Sequence, residues 1–260
     1  MTELKTRHRT KETKTEENKL KISILAPCSK NKSALDRLQH QAAQICHIDS
    51  QASVVFLPEG PALDAPVHAI TAYLPELVYQ VQAEEKAGAD AVVIAHYLDP
   101  GLDAARELVS IPVLGAGHTT FRLAAALARR FSIITTSPAH LGPIEDIIAD
   151  ESLLARIVSI KLLEGSQKDN HHCPKHLLEL ATEAVEKDGA RLIVLALPDY
   201  NDWSDQVKEH LATCGNPVPV LDPVKVAIKH AENIAEMGMS QSKITYPTPE
   251  IRVYDGCLDF

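Results

Sequence analysis

A continuous apolar run at residues 91–95 is the feature that most constrains the fold of this chain. A run without alternation is typical of a strand covered on both faces, as in the parallel sheets of α/β proteins. The run ends at His96, and a polar loop follows as far as Gly101. Because ligands of open parallel sheets bind beyond the carboxyl ends of the strands, His96 is predicted to lie at a functional edge.

Strand-like and helix-like segments alternate through the rest of the chain. A strand is predicted at residues 21–26, with a break at Pro27, and a helix at 33–46 and a strand at 52–57 follow it. This β-α-β opening predicts parallel strands joined by a right-handed crossover. The alternation continues through a single helix predicted at residues 72–87 to a final helix near residues 224–237, which assigns the chain to the α/β class.

The chain also repeats itself. Two segments recur in order and without gaps: residues 85–96 align on 186–197, and residues 111–114 align on 218–221. Two copies of one α/β unit, with a longer loop in the second, explain both alignments. His96 and Leu197 then end equivalent strands, and two facing lobes would place them on opposite walls of one cleft. A ligand between these walls could be approached from both faces, which is the geometry that proton transfer at a stereocentre needs.

The composition argues against several classes of protein. The formal net charge of −9 disfavours nucleic-acid binding, because phosphates require clustered Lys and Arg. No apolar run approaches the roughly 20 residues of a membrane span, and the N-terminus has no apolar signal core. Five cysteines at irregular spacing indicate free thiols in a reducing compartment. We therefore expect a cytoplasmic protein, with a disordered tail at residues 1–20, where almost nothing could enter a core.

Two segments are specific enough to indicate a family. They are Asp-Pro-Gly-Leu at residues 99–102 and Phe-Ser-Ile-Ile-Thr-Thr at residues 131–136. Weaker matches occur in order at residues 60–62, 88–95, 111–115, 188–190 and 242–246. Together they resemble the aspartate/glutamate/hydantoin racemase superfamily, most closely its hydantoin and allantoin racemase branch.

The resemblance implies a fold of two pseudo-symmetric α/β lobes, each with a mostly parallel sheet flanked by helices, and an active cleft between the lobes. The chain would cross to the second lobe near Thr119 and return near Asp222. The first lobe would then hold residues 21–118 and 222–260, and the second lobe residues 119–221.

The resemblance also implies a reaction. In that family a cysteine from each lobe moves the α-proton without a cofactor, one thiolate removing it while the opposite thiol returns one. The matching positions here hold His96 and Leu197, so both thiols are absent. Leucine carries no titratable proton, which makes the two-thiol mechanism unavailable to this chain.

Three residues are candidates for replacing this chemistry. His96 is predicted to act as the main acid or base, because its unperturbed pKa of about 6.5 lies near working pH. Cys28 follows the first strand, where a helix N-terminus would lower the thiol pKa, although a buried inert cysteine is an equal alternative. Asp199 would carry a proton if burial raised its pKa, although helix capping is the simpler role.

The substrate-binding candidates lie beside these residues at predicted strand ends. Free N–H groups at Gly117 and His118, and the hydroxyls of Thr135 and Thr136, are expected to hold a carboxylate or imide oxygen. The remaining candidates are Ser29, Tyr97, Leu197 and Pro198. A polar segment with His171, His172, Cys173 and His176 has ligand types that zinc accepts, but its spacing favours a surface loop, and no metal is predicted.

The resulting expectation is a cofactor-independent enzyme of racemase type that acts on a small carboxylate or hydantoin-like molecule through an enolate. Two alternatives stay open. A histidine on one wall facing an apolar Leu197 suits a one-sided elimination or decarboxylation, and a protein that kept the cleft but lost the thiols could bind a ligand without catalysis. The expected partners are the small substrate and, as an open alternative, further copies of the chain in a homo-oligomer.

Overall fold

The computed structural model describes residues 19–62, 64–164, 173–198 and 200–249. The predicted disordered tail lies outside these ranges except for residues 19 and 20, and Leu20 already begins the first strand. Asp199, His171 and His172 also lie outside the described residues.

The first sheet, in the part of the chain that the structure describes, has four parallel strands in the order β2-β1-β3-β4. These strands are β1 (Leu20–Ser29), β2 (Ser50–Leu57), β3 (Ala91–Ile94) and β4 (Val113–Gly115). The connecting helices are α1 (Lys32–Ile45), α2 (Val67–Ala72), α3 (Leu74–Lys86) and α4 (Leu102–Leu108). Every residue of β3 is buried, as the continuous apolar run predicts for a strand with neighbours on both sides.

The second sheet repeats this order with β6-β5-β7-β8, again all parallel over the described residues. Its strands are β5 (Phe131–Thr135), β6 (Ile157–Leu162), β7 (Ile193–Ala196) and β8 (Val220–Leu221). The other helices of the described residues are α5 (Ala116–Leu127), α6 (Leu141–Asp150), α7 (Lys175–Glu186), α8 (Ser204–Thr213) and α9 (Pro223–Glu236). Short 3-10 turns at Pro138–His140 and Leu154–Arg156 lie on either side of α6.

The identical strand order confirms the predicted α/β class with two pseudo-symmetric sheets. Strands β1 to β4 correspond to β5 to β8, and β3 and β7 occupy equivalent places beside the first strand of each sheet. We call the elements around the first and second sheets the first and second lobes.

Two helices connect the lobes. The last helix, α9, packs on the first sheet, where Ala227 and Ile228 share a core with Ile22 and Val93. Helix α5 contributes to both cores, through Ala116 in the first lobe and through Phe121 and Ala124 in the second. The crossings between lobes near Thr119 and Asp222, and the domain boundaries, stay predictions.

Two predicted elements differ from the structure. Strand β1 does not end at Pro27 but continues to Ser29, with an irregular register between Ala26 and Ser29. Such a bulge accommodates the missing proline N–H within a strand. The helix predicted at residues 72–87 starts two residues later, as α3, and the short helix α2 precedes it. The two helices meet at Tyr73, because Pro75 lies in the first turn of α3, where its absent N–H is not needed. Among the described residues no helix is long and apolar enough to cross a membrane.

Candidate functional site

His96 and Leu197 line the same small cavity, where β3 and β7 end. The other lining residues are Ala95, Tyr97, Pro198, Tyr200, Asp222, Pro223 and Val224. The cavity volume is about 10 Å³, which is room for about one water molecule. The structure therefore brings together His96, Tyr97, Leu197 and Pro198 from the predicted site.

His96 is buried and its ring is held in one orientation. Nδ1 accepts a hydrogen bond of 3.1 Å from the backbone N–H of Leu98. In the neutral imidazole the hydrogen then lies on Nε2, because one ring nitrogen accepts and the other donates. The ring stacks on Tyr97 with a centroid separation of 4.8 Å, and the edge of His140 packs 5.8 Å away.

Tyr97 connects the two lobes through a buried polar network. Its hydroxyl lies 2.6 Å from Nδ1 of His140 and 3.3 Å from the hydroxyl of Thr135. Nε2 of His140 donates to the carbonyl of Ala65 at 2.9 Å, which leaves Nδ1 to accept from Tyr97. Thr135, expected to bind substrate, thus contributes to the lobe interface in this state.

His140 was not predicted as a site residue, and its only sequence signal is its position just after the Thr-Thr end of β5. Its side chain is fully buried. Burial lowers the pKa of His140 below its ordinary value, although the bond to Ala65 and the charge of Asp64 act in the opposite direction. A neutral ring is what the acceptor role toward Tyr97 requires.

A second bridge lies on the other side of the cavity. The Tyr200 hydroxyl donates to the carbonyl of Ala95 at 2.8 Å, one residue before His96. The side chain of Gln41 donates to the carbonyl of Tyr200 at 3.2 Å. Tyr200 has a positive φ of 54°, which a non-glycine residue adopts only when its surroundings hold it there. Both bridges keep the cavity closed.

The expected anion site at Gly117 and His118 is occupied by the protein itself, so the prediction of free N–H groups was wrong. Oδ1 of Asp99 accepts from the N–H of Gly117 at 2.8 Å, and Oδ2 lies 2.6 Å from both the backbone N and Nδ1 of His118. The hydrogen bond to Asp99 is the main cause that raises the pKa of His118. Asp99 therefore neutralises the N-terminal end of α5 from outside the helix.

The close approach of this loop depends on Gly117. A Cβ at this position would lie 2.1 Å from the carbonyl oxygen of Tyr97. The backbone that follows His96 is thus packed directly on the first turn of α5.

Cys28 does not fit the predicted reactive thiol. It lies within β1, is buried in the core of the first lobe, and is not among the residues that line the cavity with His96. Burial raises its pKa to about 12, so the expectation of a lowered pKa was wrong. The alternative of a buried inert cysteine agrees with the structure.

Two other binding candidates lie beside strand ends but away from the small cavity. Ser29 is exposed, and its N–H donates to the carbonyl of Pro61. The hydroxyl of Thr136 is buried, and no group among the described residues hydrogen-bonds to it. Thr136 remains the candidate with an unused polar atom. Asp199 lies outside the described residues.

Asp222 lines the cavity, but the sequence analysis did not predict it as a site residue. Its Oδ1 accepts from the N–H groups of Val224 and Lys225 at 2.9 and 3.1 Å, which makes it the N-cap of α9. Burial raises its pKa to about 6, while the backbone N–H and the charge of Lys225 oppose this shift. The sequence signal was an Asp directly before a proline, which predicts a helix start rather than chemistry.

The polar segment near Cys173 shows no metal site within the described residues, where no group of three or more His, Cys, Asp or Glu side chains converges. Burial raises the pKa of Cys173 to about 11. The His176 ring lies 3.6 Å from Glu179 on the exposed face of α7.

Comparison with known proteins gives a consistent result. Residues 28–231 match the family model described as Asp/Glu/hydantoin racemase. The hydantoin racemase of Pseudomonas sp. (strain NS671) is 30% identical over 245 residues, which cover 92% of this chain and 96% of that protein.

Solved structures share the fold. Allantoin racemase from Klebsiella pneumoniae superposes with a TM-score of 0.83 at 23% identity, over 92% of this chain and 97% of that chain. An arylmalonate decarboxylase structure superposes with a TM-score of 0.63 at 18% identity, over 84% and 93% of the two chains.

Proposed function

Because the chain belongs to the Asp/Glu/hydantoin racemase family, we propose that it is an isomerase that moves the proton at the α-carbon of a small hydantoin-like or carboxylate substrate. One observation carries the proposal: His96 and Leu197, at the ends of equivalent strands in the two lobes, line one buried cavity. These are the positions at which the family resemblance would place the two thiols. The chemistry is therefore expected to use other protein groups and no cofactor.

His96 is suited to stabilising the enolate. Removal of a proton beside a carbonyl group leaves negative charge on the carbonyl oxygen, and a fixed donor in a dry site stabilises that charge. His96 lines the cavity, and with its hydrogen on Nε2 it would act as such a donor once the substrate is bound. A ring that gained a proton would lose the bond from Leu98, since both nitrogens of the imidazolium donate. The geometry thus favours a donor role, and the acid/base role expected from the sequence stays a prediction.

Substrate entry requires the lobes to separate. A hydantoin ring is much larger than the single water that about 10 Å³ holds. Opening would break the bridges that Tyr97 and Tyr200 make across the lobes. Closure over the substrate would then exclude water from the enolate, as lids and closing domains do in other enzymes.

The test is hydrogen exchange at the substrate α-carbon. Each enantiomer of 5-benzylhydantoin and of allantoin is incubated with the enzyme in deuterated water, and deuterium incorporation and enantiomeric composition are followed above the uncatalysed rate. Isomerase activity requires deuterated substrate together with the opposite enantiomer. Absence of both in the correctly folded protein would overturn the proposal.

Variants of His96 test its role. His96→Ala is expected to lower the exchange rate by about 100-fold or more, the usual cost of removing an oxyanion donor. His96→Gln, which can place an amide N–H near the position of Nε2, is expected to retain more activity than His96→Ala. Substitution of the exposed His68 by Ala is the matched control. Equal activity in His96→Ala and the control would exclude His96 as the hydrogen-bond donor to the enolate.

A lyase reaction in the same cavity is the second candidate. Leu197 and Pro198 form an apolar part of the wall that cannot titrate. Such a wall disfavours a charged carboxylate in the ground state, which suits loss of carbon dioxide. A new product from a malonate-type acid, without exchange of hydantoins, would favour the lyase. A ligand-induced rise in melting temperature with neither reaction would favour a binding protein.

A further inference from the structure

We propose that Asp222, which follows β8 and lines the cavity, is the group that carries the substrate α-proton. This inference rests on the proposed function and assigns a residue to its central step. It starts from the position of Asp222, which lines the same cavity as His96 and Leu197. The cavity has a volume of about 10 Å³, which is room for about one water, so the proposal requires the Asp222 carboxyl and the His96 ring to face the substrate across this small space.

Asp222 lies beside the sheet that lacks a titratable residue at the end of β7. It follows β8 directly, and β8 pairs with β7, whose end is Leu197. The carboxyl ends of neighbouring parallel strands meet at one edge of a sheet. Asp222 thus follows the strand next to the one that ends at Leu197, and His96 lines the cavity from the end of β3 in the first sheet.

The Asp222 carboxyl group is held in place by hydrogen bonds and can still accept one more. Oδ1 accepts from the N–H groups of Val224 and Lys225, and Oδ2 accepts from the side chain of Gln41 at 3.3 Å. A carboxylate has roughly four acceptor sites, and these contacts use three of them. The remaining capacity is on Oδ2. A rigid, correctly oriented carboxylate is what proton transfer requires.

The surroundings allow both protonation states near neutral pH. Burial is the main effect that raises the pKa of Asp222, to about 6, and the charge of Asp202 acts in the same direction. Lys225 opposes both, but its ammonium group is shared with Asp202 and Asp205. The other titratable side chains that line the cavity, among the described residues, are His96, Tyr97 and Tyr200. A carboxyl of this kind can take a proton and also return it, which efficient acid/base catalysis favours.

The proposed step conserves atoms and charge. Oδ2 of Asp222 forms a bond to the α-hydrogen, the C–H electron pair moves into the enolate, and the enolate oxygen accepts a hydrogen bond from Nε2–H of His96. The carboxylic acid then returns a proton to the planar carbon, which inverts the centre when the enolate has turned its opposite face toward Asp222 and exchanges the hydrogen without inversion when it has not. Asp222 also borders an open cleft of about 650 Å³ between α5 and α9, so its proton can exchange with solvent before it returns.

Asp222→Asn is the test, because asparagine is an equally good N-cap and has nearly the same volume. The variant is expected to melt close to the wild type. It is expected to exchange the α-hydrogen of at least one enantiomer of 5-benzylhydantoin or allantoin about 100-fold more slowly, since a general base contributes about 100-fold or more. Asp222→Ser, another capping residue without a carboxyl, is expected to show the same loss.

The matched control is Asp202→Asn, which removes a charge from the same lysine without altering the cavity wall. Exchange at the wild-type rate in folded Asp222→Asn would overturn the assignment while leaving the proposed function intact. An equal loss in Asp202→Asn would also overturn it, because the effect would then come from Lys225. Wild-type enzyme without any exchange would reject the proposed function and this inference with it.

A pH profile provides a readout that a purely structural role would not change. The carboxylate form takes the proton, so exchange by the wild type is expected to rise with pH through about 6. The residual exchange of Asp222→Asn is expected to lack this rise. The same profile in both proteins would contradict the inference.

Discussion

The hydroxyl of Tyr97 lies 2.6 Å from Nδ1 of His140, and this contact joins the end of β3 in the first lobe to the turn after β5 in the second. The residue before Tyr97 is His96, whose ring stacks on the tyrosine. Any movement that separates the lobes must therefore break this hydrogen bond close to the candidate site. The interface and the site are built from the same loop.

Replacing Tyr97 by Phe is expected to destabilise the protein by about 1–3 kcal/mol, because Nδ1 of the fully buried His140 would lose its hydrogen-bond donor. Urea denaturation at unchanged m-value measures the effect. Tyr79, which is 65% exposed, provides the control, and its replacement by Phe is expected to change stability by less than about 0.5 kcal/mol. Equal stability of the two variants would show that the bridge contributes nothing.

The stability contributed by neutral His140 is expected to decrease in acid. Its pKa is lowered in the folded protein, so this contribution is complete above the unfolded value of about 6.5 and is lost as pH falls through the folded value. His118, whose pKa is raised, acts with the opposite sign. Comparison of the wild type with His140→Gln between pH 7 and pH 5 isolates the effect of His140. A stability difference that does not vary with pH would contradict the assignment.

Replacing Gly117 by Ala is expected to destabilise the protein by about 2 kcal/mol or more, because the new Cβ would lie 2.1 Å from the carbonyl oxygen of Tyr97. Gly142 in α6 is the matched control, since a Cβ there meets nothing within 4 Å. Its replacement by Ala is expected to be neutral or to stabilise the helix by up to about 1 kcal/mol. Thermal unfolding compares the two, and tolerance of both substitutions would contradict the close approach.

Cys28 is expected to resist thiol reagents in the folded protein, because it is buried and its pKa is raised to about 12. Cys214 is exposed and is expected to react readily. Mass spectrometry of tryptic peptides after brief treatment with iodoacetamide at pH 8 locates the modified thiols. Labelling of Cys28 at the rate of Cys214 would contradict its placement in the core.

Much of the fold could be predicted because it depends on local patterns. The apolar run at residues 91–95 forms the fully buried strand β3 as far as Ile94. The N–H of Ala95, the next residue, still donates to the carbonyl of Leu25 in the neighbouring strand. The internal repeat appears as two sheets with the same strand order. Each of these features follows from which faces of a strand or helix are apolar.

The sequence by itself determined the α/β class, the repeat and the equivalence of His96 and Leu197, because backbone periodicity and burial are encoded over short segments. Only the tertiary structure decided which polar groups are already used. Asp99 occupies the helix end predicted to bind an anion, and His140 and Asp222 reach the cavity region from segments distant in sequence from His96. The physical reason is that hydrogen-bond partners across two packed lobes depend on distances that no local pattern contains.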